Sequence, residues 1–186
     1  MKPCPGPQDK YALVASYIAQ HHVGWTVRLP SKDTGGKLLV TDATTRKSVS
    51  LDVRFSQDKL QKHCEKHHVV LGNQIMAQGW WSLRKRDLEN SRADFWVFVV
   101  PSVSEQKDCF IIIPPRELLH RLKPIRGHME DRIDLYLWST KQGRCWETRD
   151  LPRAFDRAID NGTYSNPPRD FSTFLNAWHL VAARLS

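Results

Sequence analysis

The chain has 186 residues, a formal net charge of +8 and 40% hydrophobic residues, which excludes a disordered or fibrous protein. At this length it can bury a sizeable core as one domain. No apolar run reaches membrane-spanning length, and the start, Met1 to Pro7, lacks the apolar core of a signal peptide. We therefore expect a cytoplasmic protein without a membrane partner, with a flexible leader at 1–8 and a single domain at 9–186.

The first third of the chain predicts a helix, a strand and a β-hairpin. Apolar residues recur at helical spacing around 8–22, and a strand follows at 25–29. Apolar and polar residues then alternate from Ser48 to Phe55, which is the pattern of a half-buried strand. Leu38 to Thr41 supplies the strand before it, and the polar run from Asp42 to Lys47 is the turn.

One face of this hairpin carries charged side chains. If the turn closes nearly symmetrically, Lys37 lies opposite Asp52, and Arg54 follows two residues along the same face. One carboxylate and two cations then converge. Such a set suits an oxyanion, because the planar guanidinium of Arg can bind two oxygens at once.

A basic segment after the hairpin raises the question of a metal site. Ser56 is the expected N-cap of a helix on which His63 and His67 are spaced i, i+4, so both can face one ligand. A structural zinc site needs about four ligands. The sequence offers no second pair of matching ligands, unless His21 and the adjacent His22 fold close to this helix. The alternative is a solvated helix face. The stretch from there to Leu83 shows no regular pattern.

A second candidate binding segment places two aromatic residues beside three cations. Trp80 and Trp81 offer rings for base stacking, and Arg84, Lys85 and Arg86 offer phosphate contacts. The positive net charge favours a polyanionic partner, because Lys and Arg release the counterions that condense on phosphates. In the alternative interpretation one Trp anchors the core and the cations form a solvated face.

The remaining segments complete an α/β pattern. The runs Ala93 to Val100 and Cys109 to Ile113 are nearly continuous apolar strands, typical of burial on both faces. A helix follows at Pro115 to Leu122, and a hairpin is expected from Ile133 to Trp138 and from Arg144 to Thr148. The cysteines form no Cys-x-x-Cys pair, so reduced thiols are expected.

The C-terminus predicts one helix. Asp170 is its expected N-cap, and the apolar stripe should pack on the domain. The less favoured alternative is an exposed stripe that docks a partner subunit. The stripe consists of Phe171, Phe174, Leu175, Trp178, Val181, Ala182 and Leu185.

Several motifs together resemble the PD-(D/E)XK nuclease superfamily. In that family an acid opens one strand, and an acid or Gln, one spacer and a Lys lie on the next. The chain more closely resembles a group of uncharacterised bacterial proteins of the superfamily, through Gly24-Trp25-Thr26-Val27, Gly35-Gly36-Lys37-Leu38-Leu39-Val40 and Leu51-Asp52-Val53-Arg54. The resemblance implies a central mixed β-sheet flanked by helices, with a restriction-endonuclease-like core at about 9–122 and a C-terminal helical and hairpin extension at about 123–186.

The departures from the family pattern concern the catalytic positions. Lys37 stands where the family has its strand-opening Asp, Arg54 where it has Lys, and Tyr11 near the position of a helical Glu. Metal-assisted phosphodiester hydrolysis holds Mg²⁺ through one or two carboxylates, and Lys37 repels the cation. An active site would need Asp33 to join Asp52, through a loop folded back at its two glycines. Otherwise Asp33 stabilises the turn.

Three classes of function follow. The first is a nucleic-acid-binding protein with a nuclease-like fold and an inactive site without a cofactor, with DNA preferred over RNA as the partner. The second is a Mg²⁺-dependent endonuclease in defence or DNA processing, with Asp33 and Asp52 as catalytic residues. The third is a protein-interaction subunit, or a homodimer, that uses its aromatic C-terminal half.

Overall fold

The structure is a computed structural model that describes residues 9–56, 58–68, 70–102, 107–127 and 130–186. Helices separate single strands or runs of two or three strands along these ranges, and two short 3-10 turns, Pro167–Arg169 and Ser172–Phe174, precede the last helix. The helices are α1 (Asp9–His21), α2 (Leu60–His67), α3 (Lys85–Glu89), α4 (Pro115–Arg126), α5 (Ala154–Asp160) and α6 (Trp178–Leu185). The strands are β1 (Trp25–Arg28), β2 (Leu38–Asp42), β3 (Ser48–Phe55), β4 (Ile75–Arg84), β5 (Phe95–Ser102), β6 (Lys107–Ile113), β7 (Arg132–Thr140) and β8 (Cys145–Glu147).

A mixed five-stranded sheet forms the centre of the fold, in the order β1-β2-β3-β5-β6. Strands β1, β2 and β3 are antiparallel, β3 and β5 are parallel, and β6 is antiparallel to β5. Helices α1 and α6 pack on one face of this sheet through Val14, Ile18 and Val181. The α/β class with a mixed sheet and flanking helices is therefore confirmed.

From Phe95 to Val100 and from Cys109 to Ile113, strands β5 and β6 are buried on both faces, as their continuous apolar sequence predicts. Val97 and Val99 of β5 belong to the cluster beneath α1 and α6. Phe98 and Val100 point the other way, into a cluster shared with the second sheet and α4. Cys109 of β6 is also buried there, in agreement with its expected role as a core residue.

The second sheet is antiparallel, in the order β4-β7-β8, and β4 is its longest strand. The expectation of an irregular stretch up to Leu83 is wrong. The first five residues of β4 are all buried, so their sequence lacks the alternation that marks a half-exposed strand. Gly79 further disguises the strand, and a Cβ there would lie 2.2 Å from the Trp81 ring and 2.4 Å from Val100.

The prediction of one C-terminal helix from Phe171 is wrong in its first half, because α6 begins only at Trp178. The segment before it hydrogen-bonds to the sheets instead: the Phe171 amide donates to the Cys145 carbonyl, and the Phe110 amide donates to Asn176 Oδ1 at 3.0 Å. Asn176 has a positive φ of 51°, which ends helical geometry there. The apolar stripe still packs on the domain, with Phe171 and Val181 both fully buried.

Ser56 does not cap α2, which begins four residues later at Leu60. Its hydroxyl oxygen instead accepts a hydrogen bond from the Trp80 amide at 3.0 Å. At the start of α2, Asp58 Oδ1 accepts a hydrogen bond from the Leu60 amide. The same oxygen also accepts one from the Gln78 amide of β4. The chain thus uses both side chains to fasten the segment after β3 to β4.

The predicted leader, 1–8, lies outside the described residues. Strand β4 precedes position 122 and pairs with β7 after it, so one sheet joins the predicted core and the predicted extension. Among the described helices, none combines the length and the apolar character that crossing a membrane requires.

Candidate functional site

The hairpin forms with the predicted register. Leu38 pairs with Leu51, which brings Lys37, the residue before β2, next to Asp52 on β3. Val49, Leu51 and Val53 point into the core beneath α1 and α6. Asp52 and Arg54 therefore lie on the opposite face, because side chains alternate along a strand.

Arg54 is held by two neighbours. Its Nη2 donates to Asp52 Oδ2 at 3.0 Å, and its guanidinium carbon lies 4.4 Å from the centre of the Trp96 ring. The two charged side chains remain 35% and 23% exposed, so the pair is open to solvent. Contact with Trp96 fixes the plane of the guanidinium, which has five N–H donors in all. Of the two cations on this face, Arg54 is therefore the one that is bonded to Asp52.

Tyr11 of α1 reaches the same region. Its hydroxyl donates to the Gly36 carbonyl at 3.5 Å, beside Lys37. Burial raises the pKa of Tyr11, the charge of Asp52 raises it further, and Arg54 lowers it. A neutral phenol therefore stands where the resemblance implies a carboxylate, and it adds no negative charge near Asp52.

The hairpin face opens into a shallow groove of about 530 Å³, which we call the hairpin groove. Its other wall comes from α3 and the residues after it. Among the described residues that line it, four are cations and two are acids, so the groove is net positive. They are Lys37, Asp52, Arg54, Arg86, Asp87, Asn90, Ser91 and Arg92.

A second groove of similar volume lies along the end of β4, and we call it the strand groove. It is also net positive, since three Arg side chains line it with one Asp. The two grooves share Arg86, so the two segments predicted separately from the sequence meet at this residue. The lining residues are Ser82, Leu83, Arg84, Arg86, Asp131 and Arg132.

Only one of the two Trp residues predicted to stack on bases is accessible. Trp80 is 39% exposed, but Trp81 is only 6% exposed and packs edge-on against Phe98, with ring centres 5.0 Å apart. The expectation that Trp81 stacks on a base is corrected, since its ring belongs to the core. Adjacent strand residues point to opposite faces, and only one face of β4 is exposed at this point.

The three predicted cations also differ from one another. Arg84 lines the strand groove, and Arg86, with 71% of its side chain exposed, lines both grooves. Lys85 is not among the residues that line either groove; its Nζ lies 3.7 Å from Glu89 Oε1. The structure thus separates Lys85 from the two Arg residues beside it.

Asp33 is exposed in the loop before Lys37 and does not occur among the described residues that line the hairpin groove. Ser31 and Thr34 close this loop, since each backbone amide donates to the other's hydroxyl oxygen. Asp42, at the far end of β2, accepts from the amides of Thr44 and Thr45, and the Thr45 bond in particular lowers its pKa. Asp42 is a turn residue.

The residues around Asp52 do not fit Mg²⁺. This ion needs hard oxygen ligands, and the Asp52 carboxylate is already bonded to Arg54 and adjoins Lys37. Among the described residues, no group of three or more His, Cys, Asp or Glu side chains could hold a metal. The groove suits an anion better than a divalent cation.

His63, one of the two metal candidates on α2, has a packing role. Its Nε2 lies 2.9 Å from Asp156 Oδ2, and its ring packs edge-on against Trp138, with centres 5.0 Å apart. It therefore connects α2 to α5 and to the second sheet. His67 contacts the His63 ring, and desolvation lowers its pKa.

Sequence reasoning missed a buried charge cluster around Glu147. This residue has no exposed surface, and its two carboxylate oxygens accept from Arg126 Nη2 and Arg169 Nη1, each at 2.7 Å. Burial raises the pKa of Glu147 to about 7, although both Arg residues lower it. An acid inside the short apolar strand Cys145–Glu147 is the signal that could have revealed it.

Two groove residues were missed as well. Arg92 and Arg132 line the hairpin groove and the strand groove, respectively. Neither stands in a basic run of the sequence, so only the pairing of distant strands brings them to the grooves. Comparison of the chain with protein-family models, with curated proteins and with solved structures finds no match.

Proposed function

We propose that this protein binds nucleic acid along the hairpin groove and the strand groove, with low sequence specificity, and does not hydrolyse it. The observation that carries the proposal is the position of Arg86 in both grooves. It joins two basic segments that lie far apart in the sequence into one net positive surface. Phosphates repeat along a nucleic acid, and a row of cations matches that repeat without reading the bases.

Arg54 gives this surface an ordered donor group. Trp96 supports one face of the guanidinium, and Asp52 accepts a hydrogen bond at Nη2. The orientation of the group is therefore fixed before a ligand arrives, which reduces the entropy lost on binding. Lys37 adds a second charge beside it, and an Arg and a Lys together suit a phosphate oxygen.

The same groups argue against hydrolysis. A nucleophilic water needs a metal or a general base, and an Arg side chain is not a proton acceptor at physiological pH. Asp52 is paired with Arg54, and Lys37 adds a further positive charge next to it. The described residues of the groove can hold a phosphodiester, and both acids among them lie beside an Arg, which disfavours their use as a base for water.

The test measures the salt dependence of binding for Arg86→Ala and for its neighbour Lys85→Ala. Fluorescence anisotropy with a labelled duplex, between about 50 and 200 mM salt, gives the slope of log K against log salt. Removing Arg86 should weaken binding and reduce the slope by about 0.9, the value for one phosphate contact. Lys85→Ala is the matched control, since it removes an equal charge next to the grooves and should change neither quantity.

Equal effects of the two variants would mean that total charge, and not the grooves, governs binding. An unchanged slope in Arg86→Ala would mean that Arg86 does not contact a phosphate. The proposal that Arg86 joins the two grooves into one binding surface would then be wrong.

A further inference from the structure

The outer face of the second sheet is covered at one end and exposed at the other. Trp138 and Trp146 lie beneath α2 and α5, packed with Leu60 and Ile159. Beyond them the same face carries exposed and half-buried side chains on β4 and β7, paired in register, which we call the sheet platform. Its residues are Trp80, Ser82 and Arg84 on β4, opposite Tyr136, Asp134 and Arg132 on β7.

Two aromatic rings stand at the covered end of this platform. Trp80 is 39% exposed, and its ring centre lies 6.1 Å from that of Tyr136, with the planes tilted by 37°. The guanidinium of Arg149 lies 5.6 Å from the Tyr136 ring on the platform's edge. Trp is normally buried, so an exposed Trp ring beside a second aromatic ring marks a surface on which another flat group can stack.

The positive charges of the platform lie at the end away from the two aromatic rings. Arg84 and Arg132 form the last residue pair of the two strands and also line the strand groove. The one acid between them and the rings, Asp134, is bonded to Arg149 at 2.6 Å and lies 3.4 Å from Arg132. The charge of Asp134 is therefore compensated within the protein. A ligand that extends from the rings to the strand groove would meet the cations Arg132 and Arg84 there.

We propose that the sheet platform binds single-stranded nucleic acid, with an unpaired base stacked on Trp80 and the backbone running past Arg132 and Arg84 toward Arg86. This inference rests on the proposed function and names the form of nucleic acid that it involves. A duplex keeps its bases stacked inside the helix, where a ring on a sheet surface cannot reach them. A single strand exposes the face of each base, and stacking tolerates any sequence because every base has such a face.

The test compares Trp80→Ala and Trp80→Phe for binding to labelled oligo(dT), oligo(U) and a duplex of the same length. Stacking on an aromatic side chain contributes about 1–3 kcal/mol per base, so Trp80→Ala should weaken binding to both single strands by about 5- to 150-fold. Trp80→Phe keeps a ring and should retain most of the affinity. Duplex binding should stay within about twofold of wild type in both variants, since it uses phosphate contacts.

Phe155→Ala serves as the control for loss of an exposed aromatic residue. Phe155 is 40% exposed on α5, and its ring packs edge-on against Tyr164, which is not a platform residue, so its loss should leave single-strand binding unchanged. Thermal unfolding of each variant checks that the fold persists.

An equal loss of single-strand and duplex affinity in Trp80→Ala would overturn the inference, as would no loss in either. If Arg86→Ala still weakened duplex binding in that case, the proposed function would stand and only the platform would fail. If wild-type protein bound neither form of nucleic acid, the proposed function itself would fail.

Discussion

The hairpin groove and the cluster around Glu147 use the same chemical groups in opposite ways. In the groove, Asp52 and Arg54 are both partly exposed, and further cations outnumber the acids. In the cluster, the carboxylate of Glu147 has no exposed surface and lies between Arg126 and Arg169. An exposed ion pair contributes little to stability, whereas removal of one partner from a buried pair leaves an uncompensated charge. We therefore assign a stabilising role to the cluster and propose ligand binding for the groove.

The positions of the two Arg residues around Glu147 explain why the cluster matters to the fold. Arg126 ends α4 and also donates to the Asp134 carbonyl of β7, while Arg169 donates to the Arg149 carbonyl after β8. Glu147 therefore connects a helix, a strand and the segment before α6 through hydrogen bonds at one point. The ion pair between Asp52 and Arg54 in the groove joins residues two positions apart on one strand, so it does not connect distant segments of the chain.

The largest expected effect comes from breaking the buried cluster. Glu147→Ala should lower the free energy of unfolding by about 3–5 kcal/mol, because it leaves Arg126 and Arg169 buried without their common partner. Asp52→Ala, the matched variant in the groove, should change it by less than about 1 kcal/mol. Urea denaturation of both proteins measures the difference. Similar losses in the two variants would contradict the division of roles.

The protonation of Glu147 gives the next effect. The pKa of Glu147 is about 7 in the folded protein, whereas the ordinary value for Glu, which applies to the unfolded chain, is 4.5. Between pH 4.5 and pH 7 the folded protein therefore keeps a proton on Glu147 that the unfolded chain has lost. This contribution to stability is complete below about pH 4.5 and is lost as the pH rises through 7, at most about 3 kcal/mol in all. Glu147→Gln, which imitates the protonated acid, should remove this part of the pH dependence. A variant with the slope of wild type between pH 5 and 7 would show that Glu147 does not titrate there.

A smaller effect, on binding and not on stability, is expected in the groove. Arg54→Glu reverses the charge on the ordered donor and should weaken binding to duplex and single strands by about tenfold or more, the size of one charge-assisted hydrogen bond. Arg54→Lys keeps the charge and loses the planar contact with Trp96, so its loss should be smaller. Anisotropy titration measures both. Unfolding curves that match wild type would show that the loss is local, and unchanged affinity in Arg54→Glu would remove the hairpin groove from the interface.

The hairpin and its charged face could be predicted from the sequence because their determinants are local. The alternation from Ser48 to Phe55 sets the faces of β3, and the turn from Asp42 to Lys47 sets the register. Lys37 and Asp52 follow from that register. The same alternation is absent from the first half of β4, which is buried throughout, and that strand was missed for this reason.

The grooves themselves could not be predicted, because they depend on contacts between distant segments. Arg86 reaches the hairpin only because β3 pairs with β5, and Arg132 reaches Arg84 only because β7 pairs with β4. Trp80 and Trp81 are equivalent in the sequence, and the direction in which β4 packs, with one face toward Phe98 and the rest of the core, decides which of them is buried. Asn176 likewise ends a helical pattern by bonding to Phe110 of another strand.

The central claim, that the groove binds nucleic acid without cleaving it, is tested most directly by measuring both properties on one sample. Wild type and Asp52→Ala are titrated against labelled duplex DNA and single-stranded RNA by anisotropy, then incubated with Mg²⁺ or Mn²⁺ and resolved on a denaturing gel. We predict saturable, salt-dependent binding by wild type and intact strands in every lane, because the Asp52 carboxylate is paired with Arg54 and lies beside Lys37, which repels a metal cation. Cleavage by wild type that disappears in Asp52→Ala would contradict the account and make Asp33 the first candidate for the missing ligand.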